Sequence, residues 1–172
     1  MNQPYARGRD AAFASGLGHW DGVVLGYFGG PNAYHVWSPQ DWAIYKDNLK
    51  IPIWVGGLEG EAEGWAALQA LYALRVPSGK VIVLDLETRI DKTYVDAFGG
   101  VLQWAGFKVW PYGSTSSIFG NPQLNGYAVA DPTGVEHMYP HPGVRMTQYA
   151  FGPNYDEDAI KDWLVQQGDL WQ

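Results

Sequence analysis

The run VIVLDLE, residues 81–87, carries the two-residue period of a β-strand and ends in acids. Positions two apart share a face of a strand, so Val81, Val83, Asp85 and Glu87 point one way and Ile82, Leu84 and Leu86 the other. A wholly apolar face belongs beneath crossover helices. The opposite face starts apolar and finishes with two carboxylates, the appearance of a barrel strand whose C-terminal end opens into an active site. In an extended chain the two Cβ atoms stand roughly 6.5–7 Å apart. In a partly dry cleft each charge then raises the pKa of the other and favours a pair holding one proton.

Outward from this strand, short apolar runs bounded by Gly or Pro alternate with helical patterns. Strands are expected at 23–28, 51–55, 107–112, 126–130 and 144–149, with a further one near 5–10. Residues 61–74 place Trp65, Leu68, Leu71 and Tyr72 at helical spacing. A second stripe over 93–105 joins Tyr94, Phe98, Val101, Leu102 and Ala105, with Asp91 or Thr93 as N-cap and Gly106 just past the end. Gly99 and Gly100 each cost that helix about 1 kcal/mol relative to Ala, so close packing against a neighbour is expected there. Ile160, Trp163 and Leu164 predict another helix over 156–166. After residue 113, strands and loops otherwise dominate. This βα order implies a parallel sheet, open or closed into a barrel. No glycine-rich fingerprint opens a helix after a strand, which counts against dinucleotide binding. With no linker or repeat, residues 1–172 are expected to form one domain, compact beside eight-fold barrels of ~250 residues.

Composition narrows the function classes. A net charge of −7 disfavours nucleic acid and anionic lipid as partners. The absence of cysteine removes disulfides, thiolate metal sites and a cysteine nucleophile. No stretch approaches the ~18 consecutive apolar residues of a membrane span, and MNQPYARGRD lacks an apolar signal core. The chain is therefore expected to be soluble, without membrane insertion or an export signal of its own. Aromatic residues reach 15%, and Trp and Tyr line sugar clefts as well as cores.

The acid pair admits several readings on spacing alone. Glycoside hydrolysis requires one carboxylic acid to protonate the leaving oxygen and one carboxylate as nucleophile, base or electrostatic stabiliser. The pair also suits a solvated strand end, with one acid capping a loop and one pairing with Arg89, or a site for Mg²⁺ or Ca²⁺. His137 and His141 are four apart but interrupted by Tyr139 and Pro140, against the helical geometry of a zinc pair. No GxSxG stretch supports a serine hydrolase. Neither a metal nor an organic cofactor is expected.

Residues 81–114, VIVLDLETRIDKTYVDAFGGVLQWAGFKVWPYGS, resemble the family-25 glycoside hydrolases, which are lysozyme-type muramidases. They resemble still more the glycoside hydrolase-like domains of unknown function related to that family. In those proteins a strand ending in Asp-x-Glu leads to a helix with aromatic and apolar anchors, then Gly-Phe or Gly-Tyr, then a strand closing on Tyr-Gly-Ser. All occur here in order. GYFGGP at 26–31, PIWVGG at 52–57, YAVAD at 127–131 and TQYAFGPNYDED at 147–158 extend the likeness over about residues 5–165. The resemblance implies an α/β fold: a small, irregular, TIM-like β/α barrel with few helices in its C-terminal third. It implies Glu87 as general acid, Asp85 as stabiliser at the anomeric side, and Asp10 as the acid of the first strand that orders the site. Tyr112, Trp54, Tyr27 and Gln148 fall at strand ends suited to substrate, while Asp131 and Asp156 are loop acids of weaker claim. Trp54 suits the core equally well. The muramidases are commonly larger, so substrate-gripping loops are expected to be shortened. The expected substrate is peptidoglycan or a related amino-sugar glycan, reached through lysis or carriage in a phage particle. The alternative is a catalytically silent barrel that binds glycan or serves as a structural part of a phage or secreted assembly, with a protein partner.

Overall fold

A computed structural model describes residues 5–172. Eight strands close into a barrel in chain order: β1 (Tyr5–Asp10), β2 (Val23–Gly29), β3 (Lys50–Val55), β4 (Val81–Asp85), β5 (Lys108–Ser114), β6 (Tyr127–Ala130), β7 (Val144–Phe151) and β8 (Asp156–Lys161). β1 to β7 run parallel, whereas β8 is antiparallel to both β7 and β1. The helices are α1 (Pro39–Ile44), α2 (Gly60–Ala73), α3 (Lys92–Trp104) and α4 (Asp162–Gln166). From β5 onward no α-helix precedes the end of β8, so the C-terminal third is poor in helix as expected.

The β4 alternation holds through residue 86. Val81 and Val83 join Leu25, Ile53, Trp110 and Met146 inside the barrel. Ile82, Leu84 and Leu86 face outward against Leu68, Leu71, Val95, Phe98 and Leu102 of α2 and α3. Fully burying a side chain of this size contributes ~1.5–3 kcal/mol, so these two apolar layers hold β4 from both sides. Asp91, not Thr93, caps α3: its side chain accepts from the Tyr94 amide at 3.0 Å. Gly106 follows at φ 86°, the left-handed conformation that glycine adopts without steric cost.

Two expectations need correction. Residues 156–166 are not one helix; β8 occupies Asp156–Lys161 and only Asp162–Gln166 are helical. The 152–155 connection is too short for the crossover a parallel neighbour needs, so the chain doubles back as an antiparallel strand. Gly99 packs closely as expected, since a Cβ there would lie 2.5 Å from Leu124 Cδ1, but Gly100 faces open space. Where the outer face of the β8–β1 seam lacks a long helix, Arg9 lies between the rings of Trp20 and Tyr155, 4.0 Å from each centroid.

Candidate active site

The C-terminal ends of the parallel strands and the N-terminal end of β8 surround one cavity of about 350 Å³. β1 supplies Asp10, β2 Tyr27, β4 Asp85, β5 Tyr112, β7 Gln148 and β8 Asp156; Glu87 enters from the turn after β4. Registers place Asp10 opposite Asp156, and Asp85 opposite Tyr112.

Glu87 does not continue the strand. Its φ of 54° is left-handed, an uncommon state for a residue with a side chain. Hydrogen bonds impose it: the Glu87 carbonyl accepts from Ser114 N at 2.9 Å and Ser117 Oγ at 3.2 Å. A Cβ on Gly113 would collide with that carbonyl, so the glycine of Tyr-Gly-Ser makes room for the turn. Strain held by surrounding contacts is a recurrent property of functional sites. The expected spacing of an extended chain therefore does not apply, although both acids line the cavity. Asp85 Oδ1 accepts from the Glu87 amide at 3.1 Å.

The environments of the acids differ. Glu87 is exposed at the rim, Asp85 is partly covered and Asp10 is buried. Burial, reinforced by the charge of Glu87, pushes Asp85 up to about 7. Burial and the charge of Asp156 push Asp10 to about 7, against a hydrogen bond from Gln148. Gln148 organises this side of the cavity. Its Nε2 donates to Asp10 Oδ2 at 2.7 Å and to Asp156 Oδ2 at 3.3 Å, and its Oε1 accepts from the Tyr112 hydroxyl. Burial raises the pKa of Tyr27 and Tyr112, which therefore remain hydroxyl donors.

Below this set lies Asp158, wholly buried in the barrel interior. It is close enough to Asp10 for their charges to couple, yet neither of its oxygens meets a hydrogen-bond partner among the described residues. Burial first, then the charges of Asp10 and Asp156, raises its pKa well above the ordinary carboxylate value and so favours its protonated form. Gly8 leaves it room: a Cβ there would lie 3.2 Å from Asp158 Cβ and 2.9 Å from Ile160 Cδ1. Asp158 escaped the sequence-based expectations because 156–166 was assigned to a helix. The alternation Asp156, Asp158, Ile160 is the signal that marks it.

Two expected substrate residues lie elsewhere. Trp54 is buried on the outer side of the barrel, against Phe28 and Phe98, and its Nε1 donates to Glu63 at 3.3 Å. Its place in β3 points it away from the interior, toward the helical layer. Asp131 lies beyond the cavity lining and holds His137 Nε2 at 3.0 Å within its own loop. The remaining candidates, Asp10, Tyr27, Asp85, Glu87, Tyr112 and Gln148, line the cavity together. Arg89 does not pair with the acids; its guanidinium lies 4.4 Å over the Tyr94 ring and donates to the Gly57 carbonyl. His141 instead packs its ring against Phe119, tilted, at 4.4 Å between centroids.

No family model matches the sequence, and no curated protein matches it in sequence. Solved structures share the fold. A Tat-secreted protein of Mycobacterium tuberculosis, in complex with L-tartrate, superposes with a TM-score of 0.68 at 14% identity, over 97% of this chain and 99% of that one. A family GH25 lysozyme from Aspergillus fumigatus gives 0.62 at 11% identity, over 95% and 97%. The modular autolysin LytC from Streptococcus pneumoniae, in complex with a synthetic peptidoglycan ligand, gives 0.70 at 11% identity, over 90% of this chain and 46% of that one. The barrel is thus the lysozyme-like fold of the family-25 glycoside hydrolases.

Proposed function

We propose that this chain, carrying a lysozyme-like glycoside hydrolase fold, hydrolyses peptidoglycan or a related β-linked amino-sugar glycan by carboxylate acid catalysis. One observation carries the reading: Asp85 and Glu87 border the same cavity, with Asp85 held near neutrality by burial and by its neighbour's charge. Glu87, the exposed member, protonates the leaving glycosidic oxygen and draws on the proton that burial keeps on Asp85. The carbon–oxygen bond then breaks, and the Asp85 carboxylate faces the positive charge developing at the anomeric carbon. Water completes the hydrolysis and returns a proton to the pair. Asp10, fixed by Gln148, adds a third acid to the cavity. Tyr27 donates its hydroxyl hydrogen bond to the acids or the sugar, whereas Tyr112 donates to Gln148 Oε1 and offers the sugar an acceptor.

Incubation with purified cell-wall glycan is the test. The protein is expected to release reducing ends, and Glu87→Gln to abolish their release. Equal turnover by the variant removes Glu87 from the role of acid. Binding without turnover by both proteins supports the silent glycan-binding barrel instead.

A further inference from the structure

At the end of the barrel opposite the mouth, the chain gathers positive charge that its composition makes scarce. A hollow of about 280 Å³ lies there, between the foot of β3, α1 and the C-terminal end of α2. Lys46, Lys50 and Arg75 line it, three of the 11 Lys and Arg in a chain of net charge −7, and no acidic side chain joins them. Two indole rings, Trp42 and Trp171, wall it at 5.2 Å between centroids. Asp47 holds Lys46 at 3.9 Å in open solvent, where such a pair is worth little.

Lys50 is a buried cation short of counter-charge. Ile51 and Ile53 turn into the barrel, so Lys50 takes the outward face of β3, and it is only 3% exposed. Its Nζ donates to the Lys46 and Asn48 carbonyls at 3.3 and 2.8 Å and lies 5.0 Å from the Trp171 ring centroid. An ammonium has three donors, yet Lys50 forms no ion pair among the described residues. Burial lowers its pKa, and the charge of Asp47 opposes this only in part. A lysine is almost never buried so fully without a partner. The Trp42 indole N–H is likewise buried with no acceptor among the described residues. Arg75, exposed at the rim, is a second anomaly. At φ 59° it holds the left-handed position that closes α2, where its N–H donates to the Tyr72 carbonyl at 3.0 Å and Val76 N to the Leu71 carbonyl at 2.9 Å. Glycine takes this position at no steric cost, so the arginine stands there against the preference of the backbone.

We infer that this hollow binds a small aromatic anion, with its phosphate or carboxylate group on Lys50, Lys46 and Arg75 and its flat ring against Trp42 and Trp171. Charge-assisted hydrogen bonds from the three cations hold the headgroup, and the indole faces favour an offset-stacked ring. The ligand supplies the counter-charge that Lys50 lacks. Lys50 starts β3 whereas Asp85 ends β4, so the anion site and the acid pair lie at opposite ends of the barrel, and neither depends on the other.

Fluorine nuclear magnetic resonance of protein labelled with fluorotryptophan tests the site, the Trp171 signal being assigned by its loss in Trp171→Phe. Phenyl phosphate and benzoate should each move that signal saturably, and their order tells phosphate from carboxylate. Phenol, which keeps the ring without the charge, and inorganic phosphate, which lacks the ring, should bind at least about tenfold more weakly. Lys50→Met should lower the affinity for phenyl phosphate about tenfold and Arg75→Gly about threefold. Glycine suits the left-handed turn, so Arg75→Gly is expected to melt no lower than the parent, which separates lost binding from lost folding. No saturable shift with either aryl anion, phenol binding as tightly as phenyl phosphate, or full affinity in both variants overturns the site.

Discussion

Asp85 and Asp158 are both aspartates directed to the barrel interior, yet they occupy different chemical worlds. Asp85 ends β4 at the mouth, beside the exposed Glu87, where the cavity opens to solvent. Asp158 lies within β8, with no exposure and no hydrogen-bond partner among the described residues. The parallel strands put their C-terminal ends at the mouth, so an acid there meets solvent. The antiparallel β8 enters at the mouth and runs down, so its alternate residues Asp156 and Asp158 descend beside Asp10 into a progressively drier place. One region is open to proton exchange with solvent; the other is closed to it.

The contrast yields predictions of decreasing size. Glu87→Gln should lower glycan turnover at least ~100-fold, while its melting temperature stays near that of the parent because the side chain is exposed. A matched loss of stability would make Glu87 a structural residue and collapse the distinction. Gln148→Leu should lower turnover about 10- to 100-fold and shift the pH–rate profile. The shift follows because Asp10 and Asp156 lose a donor that opposes their protonation. A profile unmoved by this change would show that the seam does not influence the mouth.

Stability should also depend on pH in a definite direction. A carboxyl with a higher pKa folded than unfolded takes up a proton on folding, so its contribution is largest below about 4, the unfolded value. It declines as pH rises through about 7, the folded value of Asp10 and Asp85. Urea unfolding at pH 4.5 and pH 8 should therefore show a loss at the higher pH on the order of 3 kcal/mol for each of these two acids. Asp158→Asn should narrow that gap, because it removes a carboxyl whose pKa burial raises. A stability that rises over this interval contradicts the buried seam. Smallest is the effect in α3. Gly100→Ala, on an open surface, should stabilise by about 1 kcal/mol. Gly99→Ala should destabilise, because its Cβ would press on Leu124.

How much of this was legible in sequence depends on the range over which each signal acts. The β4 alternation, the α2 and α3 stripes and the Asp91 cap rest on neighbours within a few residues, and the structure reproduces them. The helix over 156–166 failed because Ile160, Trp163 and Leu164 fit a helical period, while the strand pairing that overrides it comes from β1 and β7. Trp54, which suits site and core equally, is left open for another reason. Its strand was identified, but which face of β3 turns inward depends on barrel closure, and Trp54 falls on the outer one.

The chain's own residues specified a β/α order, a strand ending in paired acids, and a set of strand-end side chains of which most line one cavity. Alternation and helical spacing encode these because they are properties of local backbone geometry. Only the closed tertiary structure decided that Glu87 sits on a left-handed turn held by β5, that β8 inserts antiparallel, and that Gln148 ties Asp10 to Tyr112. Those features depend on contacts between residues distant in sequence, and on burial, which sets how readily each acid carries charge.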